Sequence, residues 1–389
     1  MSSGPLSGLF VVDLTRFVSG PYCTMLMADA GATVVKVEPL GGDPARRFAP
    51  LFPLSEGGIS ATFMRMNRGK LSVEIDLKDE KGRGDLVRLI RRADVLVENF
   101  RAGALARLGF DEAVLEELNP GLIYASISGF GHSPSQYRDR PAFNLIAEYE
   151  AGVYRRGDNG PEALGPYVGD LFPGLHALSG ILMALFERAR TGVGTRVDIS
   201  MFDSMLSLNE AAGSNGAWLG GEDGHDAVNF HCPSGVYSCE GGFVCIDVVT
   251  DRQWSSLCAV MGAPDLAQDV NLASGAQRAE AYGELLAPVL LPWLEGRTAA
   301  AVVELLTSNG IPAAVVRSPA DALMSAQAGA REMRIEVSRQ GAGAGLPVAA
   351  NPIRVGDHLR PTSARIADAG EHSSTVLGSL SNSSGSEEG

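Results

Sequence analysis

Gly8-Leu-Phe-Val-Val-Asp-Leu-Thr15 is a short apolar, β-branched run, the pattern of a strand buried on both faces. A turn at Arg16–Pro21 follows, then a helical stretch to Ala30, and Thr33–Glu38 reads as a second strand. Leu71–Leu77 is a weaker strand, because apolar and polar residues alternate in it. Lys81–Ala93 is an amphipathic helix with Leu86, Leu89 and Ile90 on one face. Asp94–Glu98 and Leu122–Ser128 are two more strands, separated by the helical Gly103–Leu118. Arg196–Ser200 is another, followed by an apolar helix from Met201 to about Gly216. Strands alternating with helices at this spacing predict βαβ units and an α/β fold with a large, doubly wound parallel sheet. No Gly-x-Gly-x-x-Gly follows the first strand and no Gly-x-x-x-x-Gly-Lys-Ser/Thr occurs, so the usual nucleotide signatures are missing. Gly129-Phe130-Gly131 stands at a strand end, where open α/β sheets bind ligands.

Beyond residue 219 the helical period stops. Residues 220–234 read as a linker from the run Gly220-Gly-Glu-Asp-Gly224. A smaller α+β domain is expected over 235–323, with strands at Gly235–Ser238, Phe243–Val248 and Ala313–Val316. Its helices are placed at Asp251–Met261, Arg278–Leu286 and Thr298–Asn309. Residues 324–350 read as a Gly- and Ala-rich returning linker, 351–378 as a segment on the large domain (residues 1–219), and 379–389 as a disordered tail. Two domains suit a chain of 389 residues.

The net charge of −14 argues against nucleic acid or an anionic membrane as partner, although basic residues gathered in one cleft could still hold an anion. Five cysteines without metal spacing, and six scattered histidines, predict a metal-free protein with reduced thiols in the cytoplasm. No basic, apolar leader opens the chain and no apolar run approaches about 18 residues, so no membrane span is expected.

One stretch stands apart. Gly165–Thr191 places a single carboxylate, Asp170, after a Gly-Pro approach and before a long apolar helix with Leu175, Leu178, Ile181, Leu182 and Leu185 at three-and-four spacing. Local pattern leaves two readings of Asp170 open. It is a helix N-cap, or a carboxylate kept ionised at a helix N-terminus and available as a nucleophile. A nucleophilic triad is hard to assemble elsewhere: no Gly-x-Ser-x-Gly elbow exists, and His231-Cys232 are neighbours whose side chains would diverge. His176, inside the apolar helix, reads as a hydrogen-bonded core or rim residue.

Several pieces in consistent order then carry a resemblance. They are Val11-Val-Asp-Leu-Thr-Arg16 with Ser19-Gly-Pro21, Ala28-Asp-Ala-Gly-Ala32 running into Val35-Lys-Val-Glu-Pro39, and Asn67-Arg-Gly-Lys70 with Asp76-Leu-Lys78. Further on come Val97-Glu-Asn-Phe-Arg101, Leu108-Gly-Phe110, Ser128-Gly-Phe-Gly131, Gly169-Asp170, Gly310-Ile-Pro312 and Asn351-Pro-Ile353. Over roughly residues 6–377 the chain resembles the family III CoA-transferases, the group that also contains the α-methylacyl-CoA racemases.

That resemblance implies a Rossmann-like large domain, a small α+β domain and an interlocked homodimer. It makes Asp170 the nucleophile that forms a mixed anhydride with an acyl-CoA and then an aspartyl-CoA thioester, with acyl-CoA and a small carboxylic acid as substrates. CoA is a cosubstrate, and no cofactor is held tightly. Gly169 and Gly174 would leave room for the intermediate and offer amides to an oxyanion. Arg16, Phe17, Asn99, Phe100, Arg101, Arg107 and Arg140 would line the CoA cleft, the arginines suiting phosphate. Arg46, Arg155 and Arg156 are candidates for a second substrate carboxylate. Phe143 stands where the racemases carry a basic histidine, and phenylalanine moves no proton, which favours transfer over epimerisation. Intramolecular transfer within one dicarboxylate would run without an added acceptor, and a protein that only binds acyl-CoA would keep its CoA affinity when Asp170 is replaced by alanine.

Overall fold

A computed structural model describes residues 4–53, 58–219, 231–339, 345–356, 358 and 361–381. The chain divides into two compact units, Met1–Glu210 with Ser325–Gly389, and Ala211–Met324.

The first unit is built on β1 (Phe10–Asp13), α1 (Ser19–Asp29), β2 (Thr33–Glu38), β3 (Leu71–Glu74), α2 (Glu80–Arg92), β4 (Val95–Glu98), β5 (Ile123–Ser128), α3 (Asn144–Glu150), α4 (Val168–Thr191), β6 (Thr195–Ser200) and α5 (Met201–Leu208). The six strands form one sheet in the order β6-β5-β4-β1-β2-β3, and every pairing is parallel. Alternate residues of each strand feed different cores. Val11, Val34, Val95 and Ile123 pack with α1 and α4, whereas Val12, Val35, Val73 and Leu96 pack with α2. Both faces are covered, which is why these strands read as nearly continuous apolar runs. The strand order reverses between β1 and β4, and the turns after them diverge there to leave a crevice at their carboxyl ends.

Some expected elements are broken. Gly103–Leu118 is two short helices, Ala104–Arg107 and Glu112–Leu118, because Gly109 takes φ 93° between them and Asp111 caps the second through Val114 N–H. The helix after β6 stops at Asn209 and a second begins at Glu210. The long helix α4 buries Ala177, Leu178, Ile181 and Ala184 against α1 and the sheet. Leu182 is not part of that stripe; it is 40% exposed, with Met183 and Phe186 more exposed still. By length and composition α4 could cross a membrane, contrary to the sequence reading, yet its inner face belongs to this core.

The returning linker is not featureless. β10 (Arg334–Arg339) and β11 (Leu346–Ala349) pair antiparallel, and β12 (Ser363–Ile366) joins β10 in parallel. The alternation in Arg334-Ile-Glu-Val-Ser carries that strand, with Ile335 and Val337 buried against Phe63 and Met64. A last helix, α8 (Ser373–Ser381), lays Val376, Leu377 and Leu380 on the α2 core, so part of the expected disordered tail is ordered. Residues 382–389 and most of the expected 220–234 linker lie outside the described residues.

In the second unit β7 (Ser234–Cys239), β8 (Gly242–Asp247) and β9 (Ala313–Val315) form an antiparallel sheet in that order. It packs with α6 (Asp251–Val260) and α7 (Ala299–Ser308) over a core containing Val244, Ile246, Trp254, Leu257 and Val302. The predicted helix Arg278–Leu286 is instead an α-helix, Gly275–Glu280, followed by a π-turn at Tyr282–Leu286. All five cysteines are unpaired.

Candidate active site

The crevice at the carboxyl ends of β1, β4 and β5 holds a cleft of about 370 Å³. Arg16, Phe17 and Ser19 reach it from the turn after β1, and Asn99, Phe100, Arg101 and Arg107 from the segment after β4. Ser128 ends β5, Arg138, Arg140 and Phe143 come from the segment after it, and Asp170 from the first turn of α4. Eight sequence-predicted residues, Asp170, Arg16, Phe17, Asn99, Phe100, Arg101, Arg107 and Arg140, are therefore brought together.

Asn99 works on the protein rather than facing a ligand freely. Its Oδ1 accepts from Arg16 N–H at 2.8 Å, and its Nδ2 donates to Arg16 O at 2.8 Å and to Ser19 Oγ at 3.2 Å. It staples the two turns across the switch point. Phe100 is held from below, its N–H donating to Glu98 Oε2 at 2.5 Å, while Tyr124 O–H donates to Glu98 Oε1. Burial pushes the Glu98 carboxyl up to about 7. The Arg16 guanidinium lies 5.4 Å from the Phe100 ring centre. Phe17, at φ 65°, sits in the left-handed region that disfavours a bulky side chain. Its ring stacks on Phe48 and meets Phe143 edge-on.

The cleft is cationic inside an acidic protein. Among the described residues, Arg16, Arg101, Arg107, Arg138 and Arg140 form no ion pair, although ion pairs are common elsewhere in the unit. Arg138 Nε and Ser128 Oγ are buried with no hydrogen-bond partner. Arg138 is not among the sequence-predicted residues, its available signal being the Arg138-Asp-Arg140 run, and Ser128 enters the sequence reading only within Ser128-Gly-Phe-Gly131. A second groove of about 260 Å³ shares Arg16, Phe100 and Ala104 with the cleft and runs over Leu14, Pro39, Leu77 and Lys78.

Asp170 is not an N-cap. Helix α4 starts at Val168 behind Tyr167, which holds φ 68°, and Asp170 is the third helical residue. Its N–H donates to Asn144 Oδ1 at 3.1 Å, and among the described residues its carboxylate accepts no hydrogen bond and joins no ion pair. Nor is it kept ionised by the helix terminus. Burial, reinforced by the nearby Glu148 charge, pushes its carboxyl up to about 7.

Gly169 and Gly174 do not line the cleft. The Gly169 N–H donates to Glu148 Oε1 at 3.0 Å, and a Cβ there would lie 2.4 Å from Asn144 O. A Cβ on Gly174 would lie 2.6 Å from Ser19 O. Their smallness lets α3 and α1 approach α4, so the room expected for an intermediate is occupied by backbone, and the Gly169 amide is already engaged. Arg46 is also committed: it forms a two-pronged pair with Glu38 at 2.7 and 2.6 Å and donates to Ala367 O. Arg155 pairs with Glu162, and the Arg156 side chain lies outside the described residues. His176 Nδ1 is 3.0 Å from Ser204 Oγ, and His132 pairs with Asp198 at 2.9 Å, so neither histidine reaches the cleft. Among the described residues no cluster of three or more His, Cys, Asp or Glu could hold a metal.

An open parallel sheet with a cationic cleft at its switch point and a carboxylate beside it, unpartnered among the described residues, is an α/β architecture suited to an anionic ligand. Residues 6–373 match the sequence profile of CoA-transferase family III. The chain is 37% identical to the succinyl-CoA:mesaconate CoA-transferase of Haloarcula hispanica, with 96% of each chain covered. It is 33% identical to the acetyl-CoA:oxalate CoA-transferase of Acetobacter aceti, with 94% of each covered. Its fold matches the crystal structure of a CAIB/BAIF family protein from Brucella suis with a TM-score of 0.84 and 31% identity, over 97% of this chain and all of the other. The chain belongs to the family III CoA-transferases and is a CoA-transferase.

Proposed function

We propose that this enzyme moves CoA from an acyl-CoA to a small carboxylic acid through an aspartyl-CoA thioester on Asp170. The observation that carries the reading is the Asp170 carboxylate, which among the described residues has no partner, in a cleft lined by five arginines that form no ion pair there. Ionised Asp170 attacks the thioester carbonyl carbon, the C–S bond breaks, and CoA leaves as thiolate. The thiolate attacks Asp170 Cγ, breaking its bond to the bridging anhydride oxygen and releasing the first acid as carboxylate. An incoming carboxylate reverses both steps. Carboxylate exchanges for carboxylate, so the route needs no ATP. Arg107, Arg140 and Arg138 suit the CoA phosphates, and Phe100 with Arg16 offers a face for the adenine. Phe143, lodged against Phe17, puts no proton carrier opposite Asp170, which favours transfer over epimerisation.

The named relatives act on small acids, so succinyl-CoA and acetyl-CoA with mesaconate, oxalate and other short mono- and dicarboxylates form the first panel. Hydroxylamine added during turnover is expected to trap a hydroxamate at Asp170, seen by peptide mass spectrometry, and to inactivate the enzyme. Asp170→Ala is expected to lose activity by about 10⁴-fold or more and to give no adduct. An adduct that persists in Asp170→Ala, or transfer at the wild-type rate, refutes the assignment.

The same reading makes the enzyme a cytoplasmic, interlocked homodimer. Five free thiols suit a reducing compartment, and Met183 and Phe186, 72% and 71% exposed on α4, are apolar surface that a second copy would cover. Light scattering that returns the mass of one chain refutes the dimer.

A further inference from the structure

Helix α3 delivers two side chains to the turn that carries Asp170. Glu148 is fully buried, and its Oε1 accepts from Asn144 Nδ2 at 2.7 Å and from Gly169 N–H at 3.0 Å. Asn144 Oδ1 accepts from Asp170 N–H at 3.1 Å. The second oxygen, Glu148 Oε2, is buried with no hydrogen-bond partner among the described residues. Burying a carboxylate oxygen unpaired is costly, and a glutamine would make the same two bonds without bringing a charge. The charge therefore needs an explanation other than the fold.

We propose that Glu148 is the positioning residue of the nucleophile: it clamps the first turn of α4 and uses its buried charge to direct how the mixed anhydride opens. This rests on the covalent reading of Asp170. Two acyl carbons share the bridging oxygen of the anhydride. Thiolate attack on Asp170 Cγ breaks the Cγ–O bond and expels the substrate carboxylate with the electron pair, leaving the aspartyl thioester. Attack on the other carbonyl carbon expels the Asp170 carboxylate and returns the acyl-CoA. No proton moves in either case, and the weaker base is the better leaving group. Burial and the Glu148 charge push Asp170 up to about 7, against about 3.9 to 4.3 for ordinary aspartyl and glutamyl carboxyls. The substrate acid is then the group that leaves.

Other charged groups line the same cleft. Arg16, Arg101, Arg107, Arg138 and Arg140 line the cleft, but bound CoA phosphates would neutralise much of their charge. Tyr22 on α1 lies beside Gly174, one turn along α4, and carries no charge at neutral pH. Glu148 is the charged group that, after burial, raises the Asp170 carboxyl.

The test compares full-length wild type, Glu148→Gln and Asn144→Asp. The Asp170 carboxyl is titrated by infrared difference spectroscopy against Asp170→Asn, and turnover is followed with succinyl-CoA and mesaconate. Glu148→Gln keeps both acceptor bonds and is expected to move the Asp170 titration to lower pH, with the acid limb of kcat moving alike. Its kcat is expected to fall about tenfold or more while KM for the acyl-CoA holds. Asn144→Asp adds a carboxylate and is expected to move the titration the opposite way; it also keeps the proposal testable should Glu148→Gln not fold. An unmoved titration in a folded variant overturns the proposal. A hydroxylamine adduct persisting in Asp170→Ala instead overturns the covalent reading, so the two failures are distinguishable.

Discussion

Asp13 and Asp170 are both aspartates at the carboxyl end of the same sheet, and the protein treats them oppositely. Asp13 ends β1 fully buried, accepts from Thr15 N–H, from the hydroxyls of Thr15 and Thr24, and from Lys70 Nζ at 2.9 Å. Burial by itself would raise its carboxyl, but Lys70, Lys36 and Thr15 together bring it to about 2. Lys70 Nζ also donates to Pro21 O and Asn67 Oδ1, so the pair fastens β1, α1 and the segment before β3 to one another. Asp170 is only partly buried and, among the described residues, its carboxylate has no partner; burial and the nearby Glu148 charge push it up to about 7. Satisfied charge is architecture; unsatisfied charge at the mouth of a cleft is chemistry held ready.

Three experiments test that contrast, beginning with the largest expected effect. Lys70→Met takes the ion-pair partner from the buried Asp13 carboxylate, and urea unfolding at pH 7 is expected to show a loss of roughly 3–5 kcal/mol. Asp13 has a folded pKa below its unfolded value of about 3.9, so the stability it contributes is present above that pH and is lost as pH falls toward 2. The Lys70→Met penalty should therefore shrink at pH 3; an equal penalty at pH 3 and pH 7 breaks the comparison on the Asp13 side.

Second, Arg107→Ala and Arg140→Ala each remove a charge that joins no ion pair among the described residues, Arg140 resting only on the Tyr137 ring at 4.0 Å. The expected result is a KM for acyl-CoA raised about tenfold or more, with kcat and melting temperature little changed. A lowered melting temperature with unchanged KM would place these arginines with Asp13 as structural groups.

Third, Asp170→Asn should stabilise the protein. Here the folded pKa lies above the unfolded value, so ionisation opposes folding once pH rises above about 4, and the full penalty is reached above about 7. A melting-temperature gain of about 2 °C or more is expected at pH 8, vanishing near pH 4. A gain of the same size at both pH values would trace the effect to packing rather than charge.

Much of this was legible in the chain. The strands around Val11, Val34, Val95 and Ile123 show as apolar runs because burial on both faces leaves no room for polar alternation. The basic residues after β4 and β5 could be named, and motif order tied them to a CoA cleft. The connector and tail misled, because β10 and α8 contribute only a few apolar residues each and bury them against distant parts of the chain. Arg46 looked available for a substrate until its partner Glu38 was located across a turn.

By itself the sequence determined the alternation of strands and helices, the family, and which carboxylate to watch, since periodicity and motif order are local properties of the chain. Only the tertiary structure decided the state of that carboxylate. Asp170 is neither a cap nor a freely ionised residue, because its environment is made by Glu148 and Asn144, more than twenty residues away, and by burial at the sheet's switch point. A pKa is a property of surroundings, and those exist only once the chain has folded.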